Sequence, residues 1–103
     1  MLYAQIHLTL PAWVHELAPE GVVYAGDEAK MQLAIALSRR NVDAGSGGPF
    51  GAAIFDTQDR LLGVGVNRVV PQSCSVAHAE MMAFMTAQAR TQQQVTRIEV
   101  NGY

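Results

Sequence analysis

Four glycines, Gly45, Gly47, Gly48 and Gly51, fall within seven residues around Pro49 and Phe50. A backbone so rich in glycine must turn sharply there or approach something closely. Neither G-x-G-x-x-G nor G-x-x-x-x-G-K-[ST] can be laid over residues 45–51, so the usual phosphate cradles are excluded. The ordinary alternative is a turn between a helix and a strand, and both flanks fit it. Upstream, Asp27 is a good N-cap, and Met31, Leu33, Ala34, Ile35 and Leu37 recur at helical spacing. Arg39 and Arg40 stand in the last turns, where cations suit the dipole, so a helix is expected over residues 27–42. Downstream, residues 52–55 and 61–66 are short apolar runs separated by the polar residues 56–60, which reads as a hairpin. Gly63 and Gly65 weaken its second strand and let another backbone come close.

Residues 76–85, Val-Ala-His-Ala-Glu-Met-Met-Ala-Phe-Met, are good helix formers and apolar on nearly every side. That pattern predicts a buried helix. Polarity returns at Gln88, Arg90 and Gln92, and residues 97–100 begin a third strand. At the other end, the alternation over residues 3–10 predicts a strand or an extended arm, followed by a mixed segment in which Trp13 and Leu17 cover the core or a neighbouring subunit. Residues 1–26 are read as an N-terminal arm and 27–103 as the domain proper. Half of the 103 residues are hydrophobic and 16% are charged, which describes one globular domain rather than a disordered chain.

The balance of 7 basic and 9 acidic side chains, a formal charge of -2, leaves no excess of cations for a nucleic-acid backbone. No apolar stretch approaches the roughly 18 residues of a membrane span. Cys74, the single cysteine, has no internal disulfide partner, and the N-terminus lacks a signal-peptide pattern, so a reducing, cytoplasmic setting is expected.

His78 and Glu80 break the apolar pattern of the late helix, and burying either unpartnered would cost several kcal/mol. The plain alternative is that this end of the helix is exposed and both side chains are wet, with Glu80 favoured by the dipole. Residues two apart on a helix point to roughly opposite sides. Both therefore reach a common centre only if it lies beyond the helix N-terminus.

Gly47-Gly48-Pro49-Phe50-Gly51-Ala52-Ala53, then Asn67-Arg68-Val69, then Ala77-His78-Ala79-Glu80 with its histidine eleven residues after the asparagine, resembles the cytidine and deoxycytidylate deaminase superfamily. The match is nearest to the bacterial guanine deaminase and tRNA adenosine deaminase branch and covers about residues 27–90. The resemblance implies a layered α/β/α domain with a mixed central sheet, here truncated, and commonly a dimer. It implies His78 as a zinc ligand and Glu80 as general acid and base, since zinc makes hydroxide available near neutrality and a carboxylate carries the proton to the leaving amino group. It further implies that Asn67 hydrogen-bonds the base edge, that the Ala79 N–H binds a substrate oxygen, and that Phe50 packs on the ring. Each has a structural alternative: Asn67 closing a strand, Ala79 being helix, Phe50 filling core.

The P-C-x-x-C segment that supplies two further zinc ligands in such enzymes does not occur in this sequence. Cys74 is read as a loop or buried thiol, and His7 and His15 as surface histidines. The expectation is therefore the N-terminal part of a deaminase, with Zn2+ completed by a second fragment or subunit. Its expected reaction is the hydrolysis of guanine to xanthine and ammonia, and the weak negative charge argues against a tRNA substrate. The competing expectation is a non-catalytic scaffold that keeps the fold without a complete metal site.

Overall fold

Ala52 and Ile54 face one side of a strand and Ala53 and Phe55 the other, and all four are buried. A strand buried on both faces must be covered twice, and this requirement organises the chain. The computed structural model describes residues 4–19, 21–91 and 100–102. Its elements run α1 (Val14–Leu17), α2 (Gly26–Asp43), β1 (Gly51–Asp56), β2 (Leu61–Val66), α3 (Ala79–Thr91) and β3 (Val100–Gly102). The strands lie in the order β2-β1-β3, and both ladders are antiparallel.

On one face, Leu33 and Leu37 of α2 pack with Ala53, Phe55, Val64 and Val66, joined by Val14 and Ala18 from the N-terminal segment. On the other face, Ala79, Ala83 and Ala87 of α3 pack with Ala52 and Ile54. The result is the expected α/β/α layering. Trp13 and Leu17 lie partly buried against the α2-side core.

The hairpin falls on the expected residues, and α2 extends one residue beyond residues 27–42 at each end. Its N-cap is Ala25 rather than Asp27, which lies in the first turn where its charge suits the dipole. Residues 4–10 lie in no helix or strand. Of the expected third strand, residues 97–99 lie outside the described residues, and β3 is Val100–Gly102. The late helix starts at Ala79, not at Val76, and it is not buried all round. Met81, Phe84 and Met85 are exposed, and the buried residues of the helix are confined to the line Ala79, Met82, Ala83 and Ala87.

That line of small residues lies on glycine. A Cβ added to Gly65 would stand 2.1 Å from the Ala79 carbonyl oxygen, and one added to Gly63 would stand 2.6 Å from the Ala87 nitrogen. The close approach anticipated from these two glycines is therefore made by the α3 backbone. A register irregularity after Ile54, where Phe55 pairs with Leu61, lets Leu61 enter the α2-side core while Leu62 meets the α3 side.

The turn between β1 and β2 is held by Asp56. Its Oδ1 accepts the N–H groups of Gln58 at 2.8 Å and Arg60 at 3.0 Å, and its Oδ2 accepts Arg60 Nε at 2.8 Å. Beside it, Lys30 of α2 is only 4% exposed, meets Asp59 Oδ1 at 2.5 Å and lies 5.4 Å from the centre of the Phe55 ring. The lysine ties the hairpin turn to α2 and supplies charge compensation inside a largely apolar layer.

Two outcomes follow. Gly65→Ala should cost about 1–3 kcal/mol by overpacking backbone against backbone. Thermal unfolding should show it as a fall of roughly 4–8 °C per kcal/mol, and an unchanged melting temperature would contradict the close approach. Burial raises the Asp56 pKa, but the hydrogen bonds from Arg60 and Gln58 outweigh it and hold the carboxyl below its usual value. A depressed folded pKa stabilises above the ordinary carboxylate range and loses that contribution as pH falls through the folded value. Asp56→Asn should therefore lower stability at pH 7, by a margin that narrows as the pH drops below about 4; denaturant titration across pH measures it.

Candidate active site

The chain leaves β2 at Asn67 and returns to α3 through a compact loop. Cys74 N–H donates to the Val69 carbonyl at 3.0 Å, and Ala77 N–H to the Cys74 carbonyl at 3.1 Å. The loop is closed where Arg68 N–H donates to the Ala77 carbonyl at 2.9 Å. Asn67-Arg68 and Ala77-His78, eleven residues apart in sequence, are thus neighbours in space. The His78 carbonyl accepts the Met82 N–H at 2.9 Å, which makes it the first acceptor of the helix.

His78 Nδ1 lies 3.7 Å from Glu80 Oε1, with the side chains 55% and 63% exposed. This is the wet first-turn arrangement given above as the plain alternative, and a polar contact so exposed contributes little to stability. It also leaves both groups accessible beyond the helix end. Ala79 between them is buried, and its N–H belongs to the first turn, where the helix offers no acceptor. Glu80 shares a shallow cavity of about 280 Å³ with Ala52, Ile54, Ala83 and Phe84.

The glycine loop meets the same end of β2, where the Phe50 carbonyl accepts the Asn67 N–H at 3.2 Å. Phe50 N–H donates to the Gly48 carbonyl at 2.9 Å, a tight turn centred on Pro49. Phe50 is 58% exposed, so it does not fill the core. Asn67 Oδ1 accepts the Val69 N–H at 3.3 Å, which leaves its Nδ2 without a protein acceptor among the described residues. The structure thus gathers Asn67, His78 and Glu80 around one end of the sheet, with Phe50 on the adjoining loop.

Four other residues hold this end of the molecule and carried no expected role at it: Asn41, Ser46, Arg68 and Trp13. Asn41 is fully buried and donates to the carbonyls of Gly48 at 2.8 Å and Asn67 at 2.9 Å. Its signal in the sequence is positional, because it continues the buried line of α2 through Lys30, Leu33, Ala34 and Leu37. An asparagine on that line needs polar partners.

Among the described residues no three His, Cys, Asp or Glu side chains are grouped as a metal site. His78 fits one corner of such a site by exposure and donor type, with Glu80 beside it, and the described residues do not complete a ligand set. His7 and His15 are exposed, and Cys74 is a partly buried free thiol. A larger cavity of about 550 Å³ lies between the arm and β2, walled by Leu10, Val14, Leu62, Val64, Thr86 and Arg90 among others. It contains neither His78 nor Glu80, and its walls are mostly apolar. No helix among the described residues is long and apolar enough to cross a membrane.

Residues 25–100 match the family described as the cytidine and deoxycytidylate deaminase zinc-binding region, and the chain belongs to that family. Within it, the chain is similar to the guanine deaminase of Nitrosomonas europaea, at 38% identity and a TM-score of 0.80 over 90% of this chain and 51% of that one. It is also similar to the guanine deaminase of Bacillus subtilis, at 33% identity and a TM-score of 0.62 over 65% of this chain and 42% of that one. A third similar structure, solved with 2,6-diaminopurine, is 42% identical over 84% of this chain and 46% of that one, with a TM-score of 0.78. The chain spans about half the length of these structures. No curated protein sequence matches it.

Proposed function

We propose that this chain contributes His78, Glu80 and Asn67 to a zinc-dependent site that hydrolytically deaminates a purine base, guanine to xanthine and ammonia. The observation that carries the reading is the closure of Arg68 on Ala77, which sets an amide at the end of β2 beside an accessible histidine and carboxylate at the start of α3. The two guanine deaminases at 33% and 38% identity favour guanine over other amino-substituted rings.

His78 would hold the metal, with further ligands from a P-C-x-x-C segment outside these 103 residues, on a second fragment or subunit. When bound, zinc supplies the Lewis acidity that makes water a nucleophile near neutral pH. Glu80, 63% exposed, takes the proton from the attacking water and delivers it to the departing amino group. Asn67 offers both a donor and an acceptor to the base edge. The Ala79 N–H, lacking a helical acceptor, binds a substrate oxygen, and Phe50 packs against the ring.

The setting is cytoplasmic and purine metabolism the context, and a net charge of -2 fits a free base better than a nucleic acid. The exposed Met81, Phe84 and Met85 on α3 favour association, most simply as a homodimer. The same apolar face also favours a second reading, a non-catalytic scaffold that keeps the deaminase fold. Turnover separates the two. In a zinc-loaded preparation Glu80→Gln should lower guanine deamination by about 10²–10⁴-fold with zinc retained, and His78→Ala should release the zinc. Ammonia release and metal analysis measure these, and unchanged turnover in Glu80→Gln would overturn the proton-transfer role.

A further inference from the structure

We infer that Asn41 is a positioning residue for base recognition at Asn67, and that the N-terminal arm sets Asn41 through Trp13 and Ser46. The inference rests on the proposed role of Asn67 in reading the base edge. The amide of Asn41 is engaged at both ends: Nδ2 donates to the Gly48 and Asn67 carbonyls at 2.8 and 2.9 Å, and Oδ1 accepts the Ser46 hydroxyl at 2.8 Å. The Ser46 hydroxyl in turn accepts Trp13 Nε1–H at 3.1 Å. One directional chain of hydrogen bonds therefore runs from the arm, through Ser46 and Asn41, to the peptide that carries Asn67.

The direction matters chemically. A hydroxyl has one proton, and Ser46 gives it to Asn41 Oδ1 while taking one from Trp13, which fixes the amide with Nδ2 toward the two carbonyls. Asn67 is then held on both sides of its backbone, its carbonyl by Asn41 and its N–H by the Phe50 carbonyl at 3.2 Å. Arg68 braces the same joint, donating from Nη1 to the Ser46 carbonyl at 2.6 Å and from Nε to the Thr9 carbonyl at 3.0 Å. Space at the joint is minimal, since a Cβ at Gly47 would stand 1.9 Å from the Asn67 carbonyl oxygen and 2.6 Å from Asn41 Nδ2. A base-reading amide gains its selectivity from such fixity, because a displacement of about 1 Å can cost about 10²-fold in a positioned reaction.

The test has two readouts: amide hydrogen exchange at Asn67 in the full chain without ligand, and affinity for 8-azaguanine of the zinc-loaded assembly that contains it, by titration. Asn41→Asp keeps the shape and removes both donors. Ser46→Ala removes the relay hydroxyl, Ser46→Thr retains it, and Trp13→Phe removes only the indole N–H. Asn41→Asp and Ser46→Ala should each speed exchange at Asn67 and weaken 8-azaguanine binding by about tenfold, about 1.4 kcal/mol. Trp13→Phe should do so less, and Ser46→Thr should restore both readouts, which a general loss of stability would not. If Asn41→Asp fails to fold, the Ser46 pair and Trp13→Phe decide the matter. Unchanged exchange at Asn67 in Ser46→Ala overturns the inference, and so does faster exchange with unaltered affinity. A zinc-loaded wild-type assembly that does not bind 8-azaguanine overturns the purine reading and the recognition role with it, while exchange at Asn67 still reports whether the brace exists.

Discussion

Everything at the functional end of this molecule depends on how closely α3 lies against β2. Gly63 and Gly65 remove two side chains from the sheet, and Ala79, Ala83 and Ala87 keep the facing helix line small, so backbone meets backbone. Dispersion contacts at that separation are dense, and they leave little freedom for the helix to slide or roll. The first turn of α3 is thereby fixed relative to the end of β2. His78 and Glu80 need no mutual bond to hold them in place, and their exposure leaves them open to ligands.

A second constraint acts on the opposite side of the sheet. α2 delivers Asn41 into the space beneath the glycine loop, where its amide meets carbonyl groups from the loop and from the strand end. Asn41 is fully buried, and an amide buried without partners would cost about 1–3 kcal/mol, which these two carbonyls offset. The two constraints are independent in composition, one made of glycine and alanine packing and the other of amide hydrogen bonds. They converge on the same few residues between Gly47 and Glu80.

Much of this is legible in the sequence. The hairpin shows as two apolar runs around a polar turn, α2 as apolar residues at helical spacing, and the close strand–helix approach as Gly63 and Gly65 where a strand should carry side chains. The His78-x-Glu80 pair stands out because nothing else in its segment is ionisable. The exposure of Met81, Phe84 and Met85 was not legible, because a run of apolar residues does not say how many of its faces have a partner. Nor does a lone Asn41 in a helix declare what it will bond: its partners lie 7 and 26 residues away, and only the folded loop brings them together. Ser46 and Arg68 are ordinary polar residues in sequence for the same reason.

We propose that His78 is one ligand, and Glu80 the proton-carrying carboxylate, of a zinc site completed by residues outside these 103. Native mass spectrometry, with zinc content and guanine turnover measured on each separated species, tests this directly. The isolated 103-residue chain should hold no zinc tightly and show no turnover, with about one zinc per chain and ammonia release only in a species that carries further ligands. Tight zinc binding or turnover by the chain alone would overturn the shared site.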